Sequence, residues 1–340
     1  MSSRTLLILL AICFLACKQE SIVYQESFRG ETMGTYYSVK IPGNKSIEQT
    51  TLDSILVAFN MQLSTYIDSS FISRVNDPLI RTKTCDKTEN GWFFEMLDNS
   101  ELLYEESEGA FDPTVMPLVN YWGFGPNRRK DGYKQEDIDS ILNYIGLDKI
   151  QLIENEESKM VLKSDRRVSL DFSAIAKGYG VDVLAKYIEN QAQKNYLVEI
   201  GGETRTRGHK ADGKPWTLGI NKPEIGADFN EIILVIAPGD RSMASSGNYR
   251  NYYSHDGEIF SHTIDPKTGM AIGSDLLAIS VITDECWKAD AIATACMVKG
   301  LEDSKKWVEE MNNVEACFFY AESDSIQYTT SSQFNKYIYK

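Results

Sequence analysis

The amino-acid sequence predicts an α+β fold: a single large domain in which a mixed, largely antiparallel sheet is packed against helices. Segments with apolar residues at helical spacing are separated by groups of short β-like runs, not by single strands in regular alternation. Asp256-Gly257, a hairpin-turn signal, lies between two β-like pairs, Tyr252-Tyr253 and Ile259-Phe260. The chain contains no internal repeat and no long linker, so one domain is expected.

The first half of the chain predicts a strand and three helices. Residues 22–41 are rich in β-formers and stop at Pro42-Gly43, which predicts a strand followed by a turn. Apolar residues recur at helical spacing after Ile47, at Leu52, Ile55, Leu56, Phe59 and Leu63. Further helices are predicted at Trp92–Glu106 and at about Gln135–Ile145, where Gly146 provides a C-terminal cap.

The second half predicts more strands than helices. The predicted strands are Ile150–Glu154, Met160–Leu162, Val168–Phe172, Tyr196–Ile200, Trp216–Ile220, Ile232–Ala237, Leu276–Thr283 and Ala316–Tyr320. The predicted helices are Ile175–Asn190, Trp287–Val298 and Glu302–Met311.

Composition limits the class of function. The 340 residues include 35 Lys and Arg against 49 Asp and Glu, a net charge of −14 with neutral histidines. A nucleic-acid-binding protein needs a cationic face, so that class is not expected. The chain has only three histidines, which excludes a histidine-rich metal site, but oxygen ligands for a hard cation remain possible.

The N-terminus predicts export and a lipid anchor. Arg4 precedes an apolar stretch from Leu6 to Ala16, which is too short to span a bilayer and is typical of a signal peptide. Phe14-Leu15-Ala16-Cys17 resembles the lipobox of bacterial lipoproteins, which implies cleavage before Cys17 and lipidation of its thiol. A plain signal peptide is the alternative. We therefore expect a signal peptide over 1–16, a lipidated tether over 17–30 and a folded domain over 31–340.

Two clusters contain residue types that bind phosphates and cations. Asp290 and Thr294 are four residues apart, so on a helix their oxygens share a face and could hold Mg²⁺ beside a phosphate. The alternative is a first-turn Asp favoured by the helix dipole. Asp171–Asp182 joins a strand to a helix start, where free N–H groups suit a phosphate and Lys177 adds charge. An ordinary strand-to-helix turn is the alternative.

Two further clusters allow a flat ring and a proton acceptor. Gly109–Val115 and Trp122-Gly123-Phe124 place small residues beside aromatic ones, which could form either a ring-binding slot or a core corner. His262 precedes the turn Asp265-Pro266-Lys267-Thr268-Gly269 and could accept a proton or be structural.

Together and in this order, these clusters resemble the ApbE-type flavin transferases (FAD:protein FMN transferases). The matching stretches also include Glu31–Tyr36, Leu63–Tyr66, Ile72–Asn76, Leu197–Glu203, Pro215-Trp216 and Ser245–Tyr249. The resemblance covers residues 31 to 295. It implies an enzyme in which a Thr or Ser hydroxyl of an acceptor protein attacks the FMN phosphorus of FAD and AMP leaves. It also implies Mg²⁺, or Mn²⁺ in its place, at the diphosphate.

The resemblance assigns roles to individual residues. It implies metal ligation by Asp290, Thr294 and the main-chain carbonyl of Ala174. The residues expected to line FAD are Met33, Tyr66, Ala110, Phe111, Asp112, Asp171, Lys177 and Ile272. His262 is the candidate that helps to deprotonate the acceptor hydroxyl, with Asp265 or Asp171 as competitors.

The resemblance also implies partners and a location. The acceptors would be flavoprotein subunits of membrane electron-transfer complexes, of the sodium-pumping NADH:quinone and RNF types. The protein would be lipid-anchored in the bacterial cell envelope, facing the periplasm or the exterior. Two alternatives stay open: a Mg²⁺-dependent FAD pyrophosphatase that yields FMN and AMP, and a non-catalytic FAD-binding lipoprotein. Tyr66, as an aromatic cover that excludes water, favours the transferase.

Overall fold

The computed structural model describes residues 25–43, 46–86, 88–125, 133–223, 231–248, 252–255, 258–261, 263–272, 275–322 and 325–340. Its centre is an eight-stranded antiparallel sheet with the strand order β1-β2-β6-β7-β10-β13-β14-β15. These strands are β1 (Gln25–Thr32), β2 (Thr35–Pro42), β6 (Tyr196–Ile200), β7 (Glu203–Arg207), β10 (Ser242–Gly247), β13 (Leu276–Thr283), β14 (Glu315–Glu322) and β15 (Ser325–Thr330).

Three smaller sheets accompany the central one. They are β3-β5-β4 (Thr82–Asp86, Ser158–Lys163 and Ile150–Glu154), β8-β9 (Leu218–Asn221 and Ile232–Ile236) and β11-β12 (Tyr252–His255 and Glu258–Ser261). The described residues form eight α-helices. These are α1 (Gln49–Leu63), α2 (Phe71–Val75), α3 (Gly91–Glu106), α4 (Met116–Tyr121), α5 (Gln135–Leu142), α6 (Ala176–Asn190), α7 (Cys286–Lys299) and α8 (Leu301–Glu310).

Helices α6 and α7 position the functional cavity. Val181, Leu184 and Ile188 of α6 are fully buried and belong to the same apolar cluster as Val198 of β6. Helix α7 is buried almost all round, and its alternating alanines explain how this is possible. Alanine has the best helix propensity and the smallest side chain that supports it, so α7 can lie close to both the sheet and α6.

Few residue pairs join the two halves of the central sheet. β7 and β10 pair through only two residue pairs, Ser242 with Arg205 and Met243 with Thr204. Beyond Met243, β10 continues to pair with β13 as far as Gly247. The two halves of the sheet therefore separate at this point, and the space between them forms part of the cavity described below.

Two predictions of strands are corrected. Residues 22–41 were predicted as one strand, but the structure forms the hairpin β1-β2, whose turn places Met33 and Gly34 at positive φ. Residues 25–30, which the sequence assigned to the tether, are paired with β2. The predicted strand Val168–Phe172 is absent: the segment is extended and its alternate residues are buried, but it makes a single bridge, from Ser169 to Val115.

Boundaries differ elsewhere by a few residues. α5 ends at Leu142 rather than Ile145, and β8 begins at Leu218 rather than Trp216. The predicted hairpin strands around Asp256-Gly257 form β11 and β12, while the two turn residues lie outside the described part of the chain. Within the described residues, no helix has both the length and the apolar character needed to span a bilayer.

Candidate functional site

A cavity of about 1470 Å³ opens where the two halves of the central sheet separate. Small-molecule sites are typically about 300–1,000 Å³, so this cavity can hold a large ligand. The sequence named several residues that line it: Tyr66, Ala110, Phe111, Asp112, Asp171, Ala174, Lys177, Asp290 and Thr294. These residues are far apart in the sequence, from the loop after α1 to helix α7. The tertiary fold therefore brings them together.

The charged end of the cavity is formed where α6 and α7 touch. The main-chain N–H of Gly178 donates a 2.9 Å hydrogen bond to Oδ2 of Asp290. This contact requires glycine, because a Cβ at position 178 would lie 2.3 Å from the carbonyl oxygen of Cys286. Helix α6 thus presents its N-terminal N–H group to a carboxylate of α7, the arrangement that stabilises a negative charge.

Three charged side chains meet beside this contact. Nζ of Lys177 lies 3.3 Å from Oε1 of Glu203 and 3.6 Å from Oδ1 of Asp290. Both carboxylates are buried, with 4% and 2% of the residue exposed, respectively. Burial raises the pKa of Glu203 to about 8 and also raises that of Asp290, and Lys177 opposes both shifts. Burial disfavours the charge of Lys177, but the two carboxylates raise its pKa above the usual value.

The donor set at this end suits a hard cation. Asp290 and Thr294 lie one turn apart on α7, and Ala174 lies in the loop before α6; all three line the cavity. No cluster of three or more His, Cys, Asp or Glu side chains with metal-binding geometry occurs in the described residues. A cation here would therefore complete its coordination with a hydroxyl, a carbonyl and the oxygens of a ligand, as Mg²⁺ commonly does with phosphates.

Another wall of the cavity is built by the turn Ala110–Asp112. Phe111 is 2% exposed, and Gly109 before it has a φ of 76°. Asp112 accepts hydrogen bonds from the main-chain N–H of Thr114 (2.7 Å) and from its Oγ1 (2.6 Å). Burial nevertheless raises the pKa of Asp112 to about 6. Asp171 is also held by its own turn, through N–H and Oγ of Ser173, and burial raises its pKa.

Tyr66 lies at the edge of the cavity and is 67% exposed. Single exposed aromatic residues are common on protein surfaces, so the informative observation is that Tyr66 belongs to the lining of the cavity. The ring is therefore placed to cover a bound ligand from the solvent side.

Three of the residues named from the sequence do not line this cavity in the described structure. Met33, in the β1-β2 turn, packs against the apolar core. The carboxylate of Asp265 accepts hydrogen bonds within its own turn, from Lys267 N (2.9 Å) and Thr268 Oγ1 (2.8 Å). Ile272 donates its main-chain N–H to the carbonyl of Thr263. His262 and Cys17 lie outside the described residues.

Comparison with known proteins identifies the family. Residues 33–318 match the model of the ApbE family. A FAD:protein FMN transferase from Vibrio cholerae is 36% identical over 344 residues, covering 99% of this chain and 100% of that protein. A protein of the same name from Escherichia coli K12 is 32% identical over 356 residues, covering 99% and 97%. The chain belongs to the ApbE family.

Solved ApbE structures share the fold. The flavin transferase ApbE from Vibrio cholerae superposes with a TM-score of 0.81 at 35% identity, over 93% of this chain and 99% of that one. The apo form of the Pseudomonas stutzeri flavinyl transferase ApbE also gives 0.81, at 31% identity, over 93% and 97%. These relatives confirm the predicted family, the α+β fold class and the prediction of an enzyme.

Among the cavity residues that sequence reasoning left without a role, Glu203 is the one whose carboxylate contacts Lys177. The resemblance included the stretch Leu197–Glu203 but gave Glu203 no role. As the first residue of the polar strand Glu203–Arg207 it has the appearance of a solvent-facing residue. The available signal was Gly201-Gly202: both glycines have positive φ, and they turn the chain so that the next side chain enters the cavity.

Proposed function

We propose that this ApbE-family protein transfers the FMN moiety of FAD to a Thr or Ser hydroxyl of an acceptor flavoprotein and releases AMP. The observation that carries this proposal is the polarity of the cavity. Lys177, Asp290 and Thr294 lie at one end, where a diphosphate and its cation would be bound. Ala110 and Phe111 add apolar lining to the same cavity.

The reaction exchanges the phosphoanhydride bond of FAD for a phosphoester bond to the acceptor. The acceptor oxygen forms a bond to the FMN phosphorus, the bond between that phosphorus and the bridging oxygen breaks, and AMP leaves with the bridging oxygen. Asp290, Thr294 and the carbonyl of Ala174 would hold Mg²⁺, or Mn²⁺ in its place, and this cation would supply charge stabilisation at the phosphoryl oxygens. Catalysis of this kind depends mainly on positioning and electrostatics.

Other side chains of the protein would bind FAD and accept the proton of the acceptor hydroxyl. Lys177 places a positive charge beside the diphosphate. Tyr66, Ala110–Asp112 and Asp171, which line the cavity, would complete the FAD site, and Tyr66 would cover the flavin side against water. Met33 and Ile272, which do not line it, stay predicted FAD contacts. The proton of the acceptor hydroxyl passes to His262, with Asp265 and Asp171 as the competing acceptors. Asp171 lines the cavity, which supports it as a competitor.

Intact-mass spectrometry of an acceptor protein tests this proposal. The domain from residue 18 onward is incubated with FAD, Mg²⁺ and an acceptor flavoprotein domain that carries a candidate Thr, with and without EDTA. We expect the acceptor to gain the mass of one FMN, and only when the cation is present. FMN and AMP without a modified acceptor would indicate the pyrophosphatase, and intact bound FAD would indicate the non-catalytic binder.

Asp290→Asn provides the matched test of the cation site. It keeps the side-chain size but removes the charge, so transfer should fall to the level seen with EDTA. Asp303→Asn makes the same change on an exposed site in α8 and should leave transfer unchanged. Normal transfer by the Asp290 variant would contradict the cation assignment.

We also propose that Cys17 carries a lipid anchor that holds the protein in the bacterial cell envelope, facing the periplasm or the exterior. Its acceptors would be subunits of membrane electron-transfer complexes of the sodium-pumping NADH:quinone and RNF types. The lipobox-like sequence before Cys17 supports the anchor. A Cys17→Ser variant should move from the membrane fraction to the soluble fraction; retention in the membrane would contradict the anchor.

A further inference from the structure

The ammonium of Lys177 is shared by two buried carboxylates that come from different elements. Glu203 opens β7, and Asp290 lies in the first half of α7. The distances from Nζ, 3.3 Å to Glu203 and 3.6 Å to Asp290, are similar. The group of three therefore has one positive charge for two carboxylates, and neither carboxylate has the ammonium to itself.

The two carboxylates differ in their second oxygens. Oδ2 of Asp290 accepts the hydrogen bond from Gly178 N–H, so that side chain is held in place. Oε2 of Glu203 is buried and has no hydrogen-bond partner. Buried polar atoms without a partner are rare in folded proteins, and this oxygen is free to accept a further donor. Lys177 already contacts the other oxygen of the same carboxylate.

A divalent cation and Lys177 compete for the same atom. A cation ligated by Asp290 needs Oδ1, because Oδ2 is already engaged with Gly178. An ammonium and a divalent cation repel each other strongly at contact distance in a buried site. Binding of the cation therefore requires Lys177 to leave Asp290, and the ease of that movement depends on where the ammonium can go.

We propose that Lys177 is an exchangeable counter-ion: it neutralises Asp290 when no cation is bound and is taken over by Glu203 when one binds. Glu203 is then a positioning residue that sets the cation affinity through Lys177. The inference rests on the proposed function in one respect, the ligation of a cation by Asp290. It adds a role for Glu203 and a reason for its unpartnered oxygen.

A double-mutant cycle on cation binding tests the exchange. Free Mn²⁺ is titrated with the protein and followed by its electron paramagnetic resonance signal, with neither FAD nor acceptor present. Lys177→Met removes the competitor and should tighten Mn²⁺ binding by at least about tenfold. Glu203→Gln removes the alternative partner of the ammonium and should weaken binding by at least about tenfold.

The double variant separates exchange from a simple effect of charge. If Glu203 acts only through its field, Glu203→Gln weakens binding equally whether position 177 is Lys or Met. If Lys177 is exchanged, the effect should be at least about tenfold smaller in the Lys177→Met background. Glu199→Gln is the matched control: Glu199 lines the same cavity but accepts a hydrogen bond from Tyr36, and its loss should change affinity by less than about threefold.

Three results would overturn the proposal: equal effects of Glu203→Gln in both backgrounds, unchanged or weaker binding by Lys177→Met, or no Mn²⁺ binding by the wild-type protein. Circular dichroism melting establishes that each variant is folded. If Glu203→Gln does not fold, Glu203→Asp takes its place in the cycle, because it keeps the charge but shortens the reach of the carboxylate towards Lys177. Because this titration uses no FAD and no acceptor, its failure is distinct from a failure of the transfer assay.

Discussion

Replacing Gly178 by alanine should disrupt the contact that forms the charged end of the cavity. The added Cβ would lie 2.3 Å from the carbonyl oxygen of Cys286 and 2.8 Å from Cβ of Asp290. Optimal contacts between carbon atoms are about 3.5–4.0 Å, so α6 and α7 must move apart by roughly 1 Å. The same movement lengthens the 2.9 Å hydrogen bond from Gly178 N–H to Asp290.

The size of the effect follows from this overlap. Overpacking a tight core costs about 1–3 kcal/mol, whereas the better helix propensity of alanine returns at most about 1 kcal/mol. A net loss of up to about 2 kcal/mol in the free energy of unfolding corresponds to a fall of up to several degrees in Tm for a chain of this size. A displacement of about 1 Å at a reacting centre can reduce the rate on the order of a hundredfold, so we expect transfer to fall more than stability does.

Thermal unfolding and the intact-mass assay, both run on Gly178→Ala and Gly91→Ala, measure the two effects. Gly91 opens helix α3, and a Cβ there would meet no atom within 4 Å, so the same chemical change should leave Tm and transfer close to wild type. If Gly178→Ala has the same Tm as Gly91→Ala and transfers FMN at the wild-type rate, the close contact between α6 and α7 is not needed to position the site residues.

Three further predictions concern other parts of the molecule. Burial raises the pKa of Asp112 to about 6, so the folded protein favours the protonated carboxyl. The contribution of this group to the wild-type free energy of unfolding is therefore highest below about pH 4 and falls as the pH rises through 6. Asp112→Asn does not ionise, so its free energy of unfolding in urea should rise relative to wild type by up to about 3 kcal/mol over that range. Tyr66→Ala should change stability by less than about 0.5 kcal/mol, since the ring is exposed. If the ring shields a bound ligand from water, as proposed, the variant should also raise the yield of free FMN relative to FMN–acceptor; an unchanged ratio of products would contradict that role. Lys163 is buried and donates to the carbonyls of Asp77 (3.4 Å) and Arg166 (3.1 Å), so Lys163→Met should cost about 1–3 kcal/mol, and an unchanged urea midpoint would show that neither carbonyl depends on it.

The longer helices were predictable because their signal is local, whereas the short helices α2 (Phe71–Val75) and α4 (Met116–Tyr121) were not predicted. Leu52, Leu56, Phe59 and Leu63 recur at helical spacing, and the structure buries them on one face of α1. The turn between β1 and β2 was missed because Met33 adopts a positive φ there. Non-glycine residues rarely do so, and methionine is not a turn signal in a sequence. Val168–Phe172 was wrongly predicted as a strand. Its alternating apolar residues reflect burial, but a strand also needs a neighbouring strand to pair with, and sequence periodicity does not indicate whether one is present.

The candidate site was predictable in its members but not in its contacts. Asp290 and Thr294 were recognisable from their spacing, and Lys177 from its place at a helix start. The contact between Lys177 and Glu203 was not predictable. The two residues are 26 positions apart, and only the pairing of β6 with β7 and the packing of α6 bring them together. The predicted roles of His262 and Asp265 stay predictions.

The group of Lys177, Glu203 and Asp290 also has a consequence for evolution of the chain. Bringing two carboxylates out of water is costly, and their attraction to the partly exposed ammonium of Lys177 offsets that cost only in part, since one carboxylate oxygen is left unpartnered. Apolar residues of similar volume at these three positions should therefore give a more stable but inactive protein. Selection for thermal stability alone would erode this site first, so its retention in a stabilised variant would be a sign that activity had been selected as well.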